Sequence, residues 1–210
     1  MKLVLASNNP GKLAELRVLL APLALDLVAQ GNLEIPEAEE PHATFLENAL
    51  VKARHAARAS GGAAIADDSG LVVDALDGAP GVFSAHYAPI EVVAGEPREA
   101  LRKRQDAANN AHLLEQLKIH SNRRARFVAT LVAVRHERDP EPLVAVGRWH
   151  GVLLDAPRGG AGFGYDPLLY IPAFGKTVAE LEPAEKNAAS HRALAAWQML
   201  GLMRDAWLPG

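Results

Sequence analysis

Cysteine is absent from all 210 residues, so disulfides, thiolate catalysis and cysteine-ligated zinc are excluded, and a reducing compartment suits the chain. A strong charge bias is missing as well. The formal net charge is -3, which gives no broad electrostatic attraction to nucleic acid or to a membrane surface. The local basic runs Arg102-Lys103-Arg104 and Arg123-Arg124-Ala125-Arg126 read as solvated faces. Long apolar runs are lacking too: Leu3-Val4-Leu5-Ala6 is too short for the apolar region of a signal peptide, and no segment approaches transmembrane length. Internal repeats, low-complexity linkers and histidines at metal-ligand spacing are missing, and the tryptophans at 149, 197 and 207 read as packing residues. These absences lead to the expectation of a soluble, cytoplasmic protein with no nucleic-acid or membrane partner. What is there is 49% hydrophobic, enough to bury a full core in a single domain over residues 1–210, undivided or with two lobes.

Lys2 to Ala6 reads as a short buried strand. It enters Ser7-Asn8-Asn9-Pro10-Gly11-Lys12, after which Leu13, Leu16, Leu19 and Leu20 recur at helical spacing. Asn9 suits the N-cap, and Pro10 suits the first helical position, where its missing N–H had no intrahelical partner. A strand, a polar turn and a helix start, with free backbone N–H groups, the helix dipole and Lys12, favour a phosphate. The same residues also read as no more than a well-capped helix. A Walker A loop is excluded, because Ala6 stands in place of its first glycine and Leu13 in place of its Mg²⁺-binding hydroxyl residue.

Leu25 to Ala29 reads as a second strand, followed by a loop dense in carboxylates: Glu34, Glu37, Glu39 and Glu40 between Pro36 and Pro41. Thr44 then opens a helix to about Ser60, with Glu47 as its capping-box partner. Ala63-Ala64-Ile65-Ala66 leads into Asp67-Asp68, where the strand is expected to break at Ser69-Gly70 before Leu71-Val72-Val73. Two adjacent carboxylates cannot both be buried without partners. They are either ordinary turn chemistry or a grip on a hard cation such as Mg²⁺, beside which an aspartate can deprotonate a water.

Downstream, a turn-rich loop from Asp74 to Gly81 leads to Val82–Tyr87, and a charged helix is expected from Pro97 to about Lys118. Strands follow at Phe127–Arg135, Leu143–Leu153 and Leu168–Ile171. The glycine-dense stretch Gly159 to Pro167 marks backbone that turns sharply or approaches a ligand closely. A final helix from about Pro183 carries Lys186, Asn187, Ser190, His191 and Arg192, with Leu194, Trp197, Leu200 and Met203 as its apolar stripe. The pattern is α/β, and in open α/β sheets polar clusters of this kind converge at one crevice. Cationic and amide donors, paired carboxylates and an aromatic loop together match a nucleoside triphosphate.

Five of these stretches, in order and at matching spacing, resemble the inosine triphosphate pyrophosphatase (Ham1-like) family. They are Ser7-Asn8-Asn9-Pro10-Gly11-Lys12, Thr44 to Ala49, Ala66 to Leu71, Gly162-Phe163-Gly164-Tyr165-Asp166-Pro167, and Lys186-Asn187 with Ser190-His191-Arg192. Only about Pro89 to Arg124 is poorly covered by the likeness. The resemblance implies a long mixed central β-sheet flanked by helices, two lobes with the active site in the cleft between them, and a homodimer. It implies Mg²⁺-dependent hydrolysis of ITP, dITP and XTP to the monophosphate and pyrophosphate. On this likeness Ser7, Asn8, Asn9, Pro10, Gly11 and Lys12 surround the triphosphate. Asp68 is the metal-linked proton acceptor, Ser69 touches substrate, and a glutamate completes the metal site, Glu39 matching best beside Glu40. Phe163, Gly164, Tyr165, Asp166, Lys186, His191 and Arg192 form the nucleobase pocket. One departure is His86, which stands where the family has arginine and would carry the same charge only when protonated. Two other readings of the residues stay open: a regulatory module that binds a nucleotide without hydrolysing it, and a triphosphate pyrophosphatase of different base specificity.

Overall fold

The structure, a computed structural model, describes residues 2–207. Among them run seven strands: β1 (Lys2–Leu5), β2 (Asp26–Ala29), β3 (Ala64–Val73), β4 (Arg124–Val134), β5 (Leu143–Leu153), β6 (Leu169–Ile171) and β7 (Lys176–Thr177). They form one sheet in the order β2-β1-β3-β4-β5-β6-β7. β1 is parallel to β2 and β3, whereas β6 is antiparallel to β5 and β7, so the sheet is mixed, as expected. Its flanking helices are α1 (Pro10–Leu20), α2 (Phe45–Ser60), α3 (Arg98–Leu117), α4 (Pro183–Ala189) and α5 (His191–Ala206). None is long and apolar enough to cross a membrane.

The chain divides into two compact units. One comprises Met1–Ser69, Val128–Arg148 and Asn187–Gly210, the other Gly70–Phe127 and Trp149–Lys186. In the first unit the period-2 alternation of buried strands sorts residues to two faces. Leu3 and Leu5 of β1, Ile65 of β3 and Leu131 of β4 pack with Leu16 and Leu20 of α1 and Met199 of α5. Their neighbours Val4, Ala64, Ala66, Val132 and Val134 pack on the other side with Ala49, Ala53, Ala56 and Ala57 of α2. Small alanines bring α2 close to the sheet. On the α5 side the close approach is made at Gly147 of β5, where a Cβ would lie 1.9 Å from the His191 carbonyl oxygen and 2.7 Å from the Ala195 nitrogen.

The second unit is organised by α3. Its buried Asn109 accepts from the Ala88 N–H (2.8 Å) and donates to the carbonyls of Ser84 and Ala85 (3.2 Å each), tying the helix to the 3-10 segment Gly81–His86. Trp149, buried in the same unit, meets Phe174 edge to face at 6.3 Å.

Three local expectations are corrected. β3 does not break at Ser69-Gly70; strand pairing carries it unbroken from Ala64 to Val73. The final helix is not continuous from Pro183. Its run ends at Ala189, and Ser190, in extended backbone, caps a new helix by accepting from the Ala193 N–H. Trp197 is no packing residue, being 46% exposed; the buried face of α5 is built from Ala193, Ala195, Ala196, Met199 and Met203, small enough for the close approach at Gly147.

Candidate active site

The unbroken course of β3 explains what the adjacent aspartates do. Successive strand residues face opposite sides of a sheet. Asp67 therefore shares the Ile65 side, with α1 and α5, and Asp68 the Ala66 side, with α2. Each carboxylate meets the cations of its own side.

Asp67 and Arg192 are each 1% exposed, and they are bonded to one another through Oδ2 and the guanidinium Nε. Lys12 donates to Asp67 Oδ1 at 2.9 Å and to its carbonyl at 3.2 Å. The other arms of Arg192 reach Glu15 of α1 and, at 3.0 Å, the Ser69 hydroxyl, two residues beyond Asp67 on the same side of the strand. Burial opposes the charge on Asp67, but Arg192 and Lys12 outweigh it and hold the carboxyl far below the usual carboxylate range. Burial likewise opposes the charge of Arg192, and Asp67 and Glu15 drive its pKa above that of a free guanidinium. For Lys12 the balance tips the other way: burial lowers its pKa more than Asp67 restores it. The arrangement is a buried, hydrogen-bonded cluster of opposite charges.

Asp68 is different. Its Oδ1 accepts from Lys52 of α2 at 2.8 Å, and the same ammonium donates to Glu40 at 3.0 Å. Oδ2 is buried and has no hydrogen-bond partner among the described residues. Burial pushes the Asp68 carboxyl up to about 6, and the pull of Lys52 does not cancel it. Burial opposes the Lys52 charge, but Asp68 and Glu40 outweigh it and raise its pKa. The acidic loop is fastened near this point by buried Asn48 of α2, which accepts from the His42 N–H at 3.0 Å and donates to the His42 carbonyl at 3.2 Å. His55 contacts the Pro36 carbonyl at 2.9 Å. Glu40 is the loop carboxylate that the structure links to Asp68, through Lys52; Glu39 is exposed beside it. Among the described residues no group of three or more His, Asp or Glu gathers as a metal site. An unshared buried oxygen on Asp68 with one glutamate nearby fits Mg²⁺ nonetheless, since that ion commonly takes one or two protein carboxylates and fills its other positions with phosphate oxygens and water.

The first strand-to-helix turn forms as expected, with Asn9 as N-cap and Pro10 opening α1. The expected free N–H groups are corrected. Asn9 Oδ1 accepts from the Gly11 N–H (2.9 Å) and the Lys12 N–H (3.3 Å), and Leu13 N–H bonds to the Asn9 carbonyl. Cap and helix thus use the backbone donors that a phosphate would have met. Ser7 Oγ accepts from the Asn9 N–H at 3.1 Å, and Asn8 donates to Glu37 at 2.9 Å. Thr44 caps α2 by accepting from the Glu47 N–H, and its hydroxyl donates to the Glu47 carboxylate at 2.6 Å, in place of the reciprocal bond to the N-cap backbone.

In the second unit, Gly162 to Asp166 is a tightly fastened loop. Asp166 Oδ2 accepts from the Phe163 N–H (3.0 Å) and from Lys186 (2.9 Å), whose ammonium lies over the Phe163 ring, 4.7 Å from its centroid. Gly162, at φ 80°, makes room for that carboxylate, because a Cβ there would stand 2.1 Å from Asp166 Oδ2. Buried Tyr165 donates to the Ser84 carbonyl at 3.0 Å, and burial raises its phenol pKa. His86 is exposed in the same unit, at the end of the 3-10 segment.

The sequence-predicted residues thus fall into two groups. Lys12, Asp68, Ser69, His191 and Arg192 lie in the first unit with the phosphate turn, whereas Phe163 to Asp166 and Lys186 lie in the second. The Ham1 family model matches residues 3–202, nearly the whole chain. The chain belongs to the Ham1 family. It is 64% identical to the dITP/XTP pyrophosphatase of Methylibium petroleiphilum, over 99% of this chain and 100% of that one. It is 66% identical to the protein of the same name from Leptothrix cholodnii, over 99% of each chain. A solved HAM1 protein from Coxiella burnetii superposes with a TM-score of 0.86 at 42% identity, covering 98% of this chain and all of that one.

Within this Ham1 chain, sequence reading passed over two side chains that the structure ties to the predicted ones, Lys52 and Glu15, and it read Asp67 only as one of a pair with Asp68. Strand alternation carried through Ser69 would have separated Asp67 from Asp68. Nothing local marks Lys52 or Glu15, because their partners are distant in the chain.

Proposed function

We propose that this Ham1 chain hydrolyses the non-canonical purine nucleoside triphosphates ITP, dITP and XTP to the monophosphate and pyrophosphate. The observation that carries this reading is Asp68: a buried carboxylate with one oxygen unshared among the described residues and a pKa pushed up to about 6, on a strand whose neighbouring residue grips Lys12. It is supported by the names of full-length relatives such as those from Methylibium petroleiphilum and Leptothrix cholodnii. In the proposed step a water attacks the phosphorus nearest the nucleoside, Asp68 takes its proton, and the bond to the pyrophosphate oxygen breaks. Lys12 and the side chains of the Ser7–Lys12 turn hold the polyphosphate, and Asp67 holds the Lys12 ammonium in place. Mg²⁺ would be held by Asp68 with Glu39 or Glu40, and when bound it supplies neutralisation of polyphosphate charge.

For the base, Phe163 offers a stacking surface, and the Lys186 ammonium, which has three donors and gives one to Asp166, offers a donor to the 6-keto oxygen of hypoxanthine or xanthine. Adenine presents a 6-amino donor at that position, and donor against donor in a buried site discriminates strongly. All three nitrogens of Arg192 are engaged by Asp67, Glu15 and Ser69, so a base contact from Arg192 would use the second N–H of Nη1 or Nη2. We infer further that residues 1–210 work as a single domain with the two units as its lobes, as a cytoplasmic homodimer.

A turnover panel of ITP, XTP, dITP, GTP, ATP and dUTP with Mg²⁺, run beside Asp68→Asn, tests this. ITP, XTP and dITP should lead. Binding without turnover would turn the protein into a nucleotide-binding module, and dUTP in the lead would overturn the base reading while leaving the phosphate chemistry.

A further inference from the structure

The stretch from about Pro89 to Arg124, which carries none of the five motifs, contains α3, and α3 bonds to the aromatic loop at Gly164. Asp106 Oδ2 accepts from the Gly164 N–H at 2.9 Å, and Asn110 Nδ2 donates to the Gly164 carbonyl at 2.9 Å. The two side chains are four residues apart, so they stand one above the other on the same face of the helix. Both backbone groups of a single loop residue are thereby held from one helix. Gly164 lies between Phe163 and Tyr165 at φ 60°, a left-handed conformation that glycine adopts readily. Asn110 is buried, and Asp106 keeps its bond although burial raises its carboxyl pKa. Asp106 itself is half-buried, and its carboxylate is held on a neutral backbone N–H rather than on a cation.

We propose that Asp106 and Asn110 are positioning residues for base recognition: by clamping Gly164 they set the pitch of the Phe163–Asp166 segment against the purine. The proposal rests on the reading of that segment as the base loop. Neither side chain is required to touch substrate. Asp106 supplies an acceptor, not a charge, so asparagine serves in its place, whereas alanine does not. Asn110 supplies a donor, which leucine of similar size removes.

The test measures ITP and ATP turnover by the full-length wild type, Asp106→Asn, Asp106→Ala and Asn110→Leu, with inhibition by inorganic tripolyphosphate as a probe of the phosphate end alone. A wild type that does not prefer ITP to ATP overturns the base-loop reading and this inference together. Given that preference, Asp106→Ala and Asn110→Leu are expected to raise KM for ITP about tenfold, in the range one lost hydrogen bond with an unsatisfied partner commonly costs, with kcat within about threefold. Asp106→Asn should stay within about twofold of wild type, because its amide oxygen still accepts the N–H. Tripolyphosphate inhibition should not move in any of them. Unchanged KM in Asp106→Ala and Asn110→Leu, an equal loss of tripolyphosphate binding, or Asp106→Asn behaving as Asp106→Ala would each overturn the clamp and leave the base-loop reading standing. Should the alanine variant fail to fold, the near-isosteric pair Asp106→Asn and Asn110→Leu decides alone.

Discussion

Around Asp67 and Asp68 the first unit buries charge against charge: two lysines, an arginine and three carboxylates joined by side-chain bonds. Around Gly162 to Asp166 the second unit holds a loop by its backbone, with α3 on Gly164, Asp166 on Phe163 N–H and Tyr165 on the Ser84 carbonyl. Under the proposed function, the charge cluster is assigned to the polyphosphate and the loop to the base. A polyphosphate is the same whatever base it carries, and a fixed set of charges can meet it. Bases differ by single donors and acceptors, and a loop whose backbone is fixed can tell them apart. If this division holds, damage in the first unit should be blind to the base and damage in the second should depend on it.

The largest expected effect is that of Asp68→Asn. Loss of a positioned base lowers kcat by about 10²–10⁴-fold, and the factor should be the same for ITP as for the residual turnover of ATP. A base-dependent factor would break the comparison. Asp67→Ala comes next, and its effect is on stability. It leaves Arg192 without its buried partner, and removing one member of a buried pair costs about 3–5 kcal/mol, or roughly 6–20 °C in the unfolding temperature for a chain of this size. Calorimetry that finds less than about 1 kcal/mol would mean that Glu15 and Ser69 suffice.

A smaller effect separates the two aspartates by pH. An unfolded aspartate titrates near about 3.9. Asp68 in the fold is pushed up to about 6. The folded state therefore binds its proton more tightly, so the stability Asp68 contributes is present below about pH 3.9 and is lost as pH rises through about 6. Asp68→Asn removes that loss. The variant's advantage in thermal unfolding should grow between about pH 4 and pH 7, to the order of 2 kcal/mol, and an advantage that shrinks over this range would contradict the raised pKa. Asp67, held low by Arg192 and Lys12, gives no such rise. The smallest effect is that of Phe163→Leu, which removes the ring beneath Lys186. KM for ITP should rise about three- to tenfold with tripolyphosphate inhibition unchanged, and a parallel loss of both would show that the second unit also serves the phosphate end.

Much of this molecule is written locally. Asn9 and Pro10 start α1, Thr44 starts α2, and the alternating apolar runs give β1, β4 and β5, because caps and periodicity depend only on near neighbours. Ser69-Gly70 misled for the opposite reason. Turn-forming residues break a strand only if nothing pairs with it, and pairing in the sheet overrode them. Ser190 was legible in principle, since a serine three residues before Ala193 and next to a fresh apolar run is an N-cap signal. The partners of the aspartates were not: Lys52 and Arg192 lie 16 and 125 residues away from Asp68 and Asp67, and only the packing of helices on each face of the sheet brings them in. Asp106 and Asn110 were hidden in the same way, on a helix whose charges read as solvent-facing.

Gly147 gives the first unit a dependence on a place with no functional group at all. Because the strand offers only a hydrogen there, the opening turn of the last helix can settle directly on the backbone, and that turn carries Arg192 to Asp67. Even one methyl at 147 would lever the helix start outward and draw the guanidinium from its carboxylate. The accuracy of the charge cluster is thus borrowed from an empty spot on a neighbouring strand.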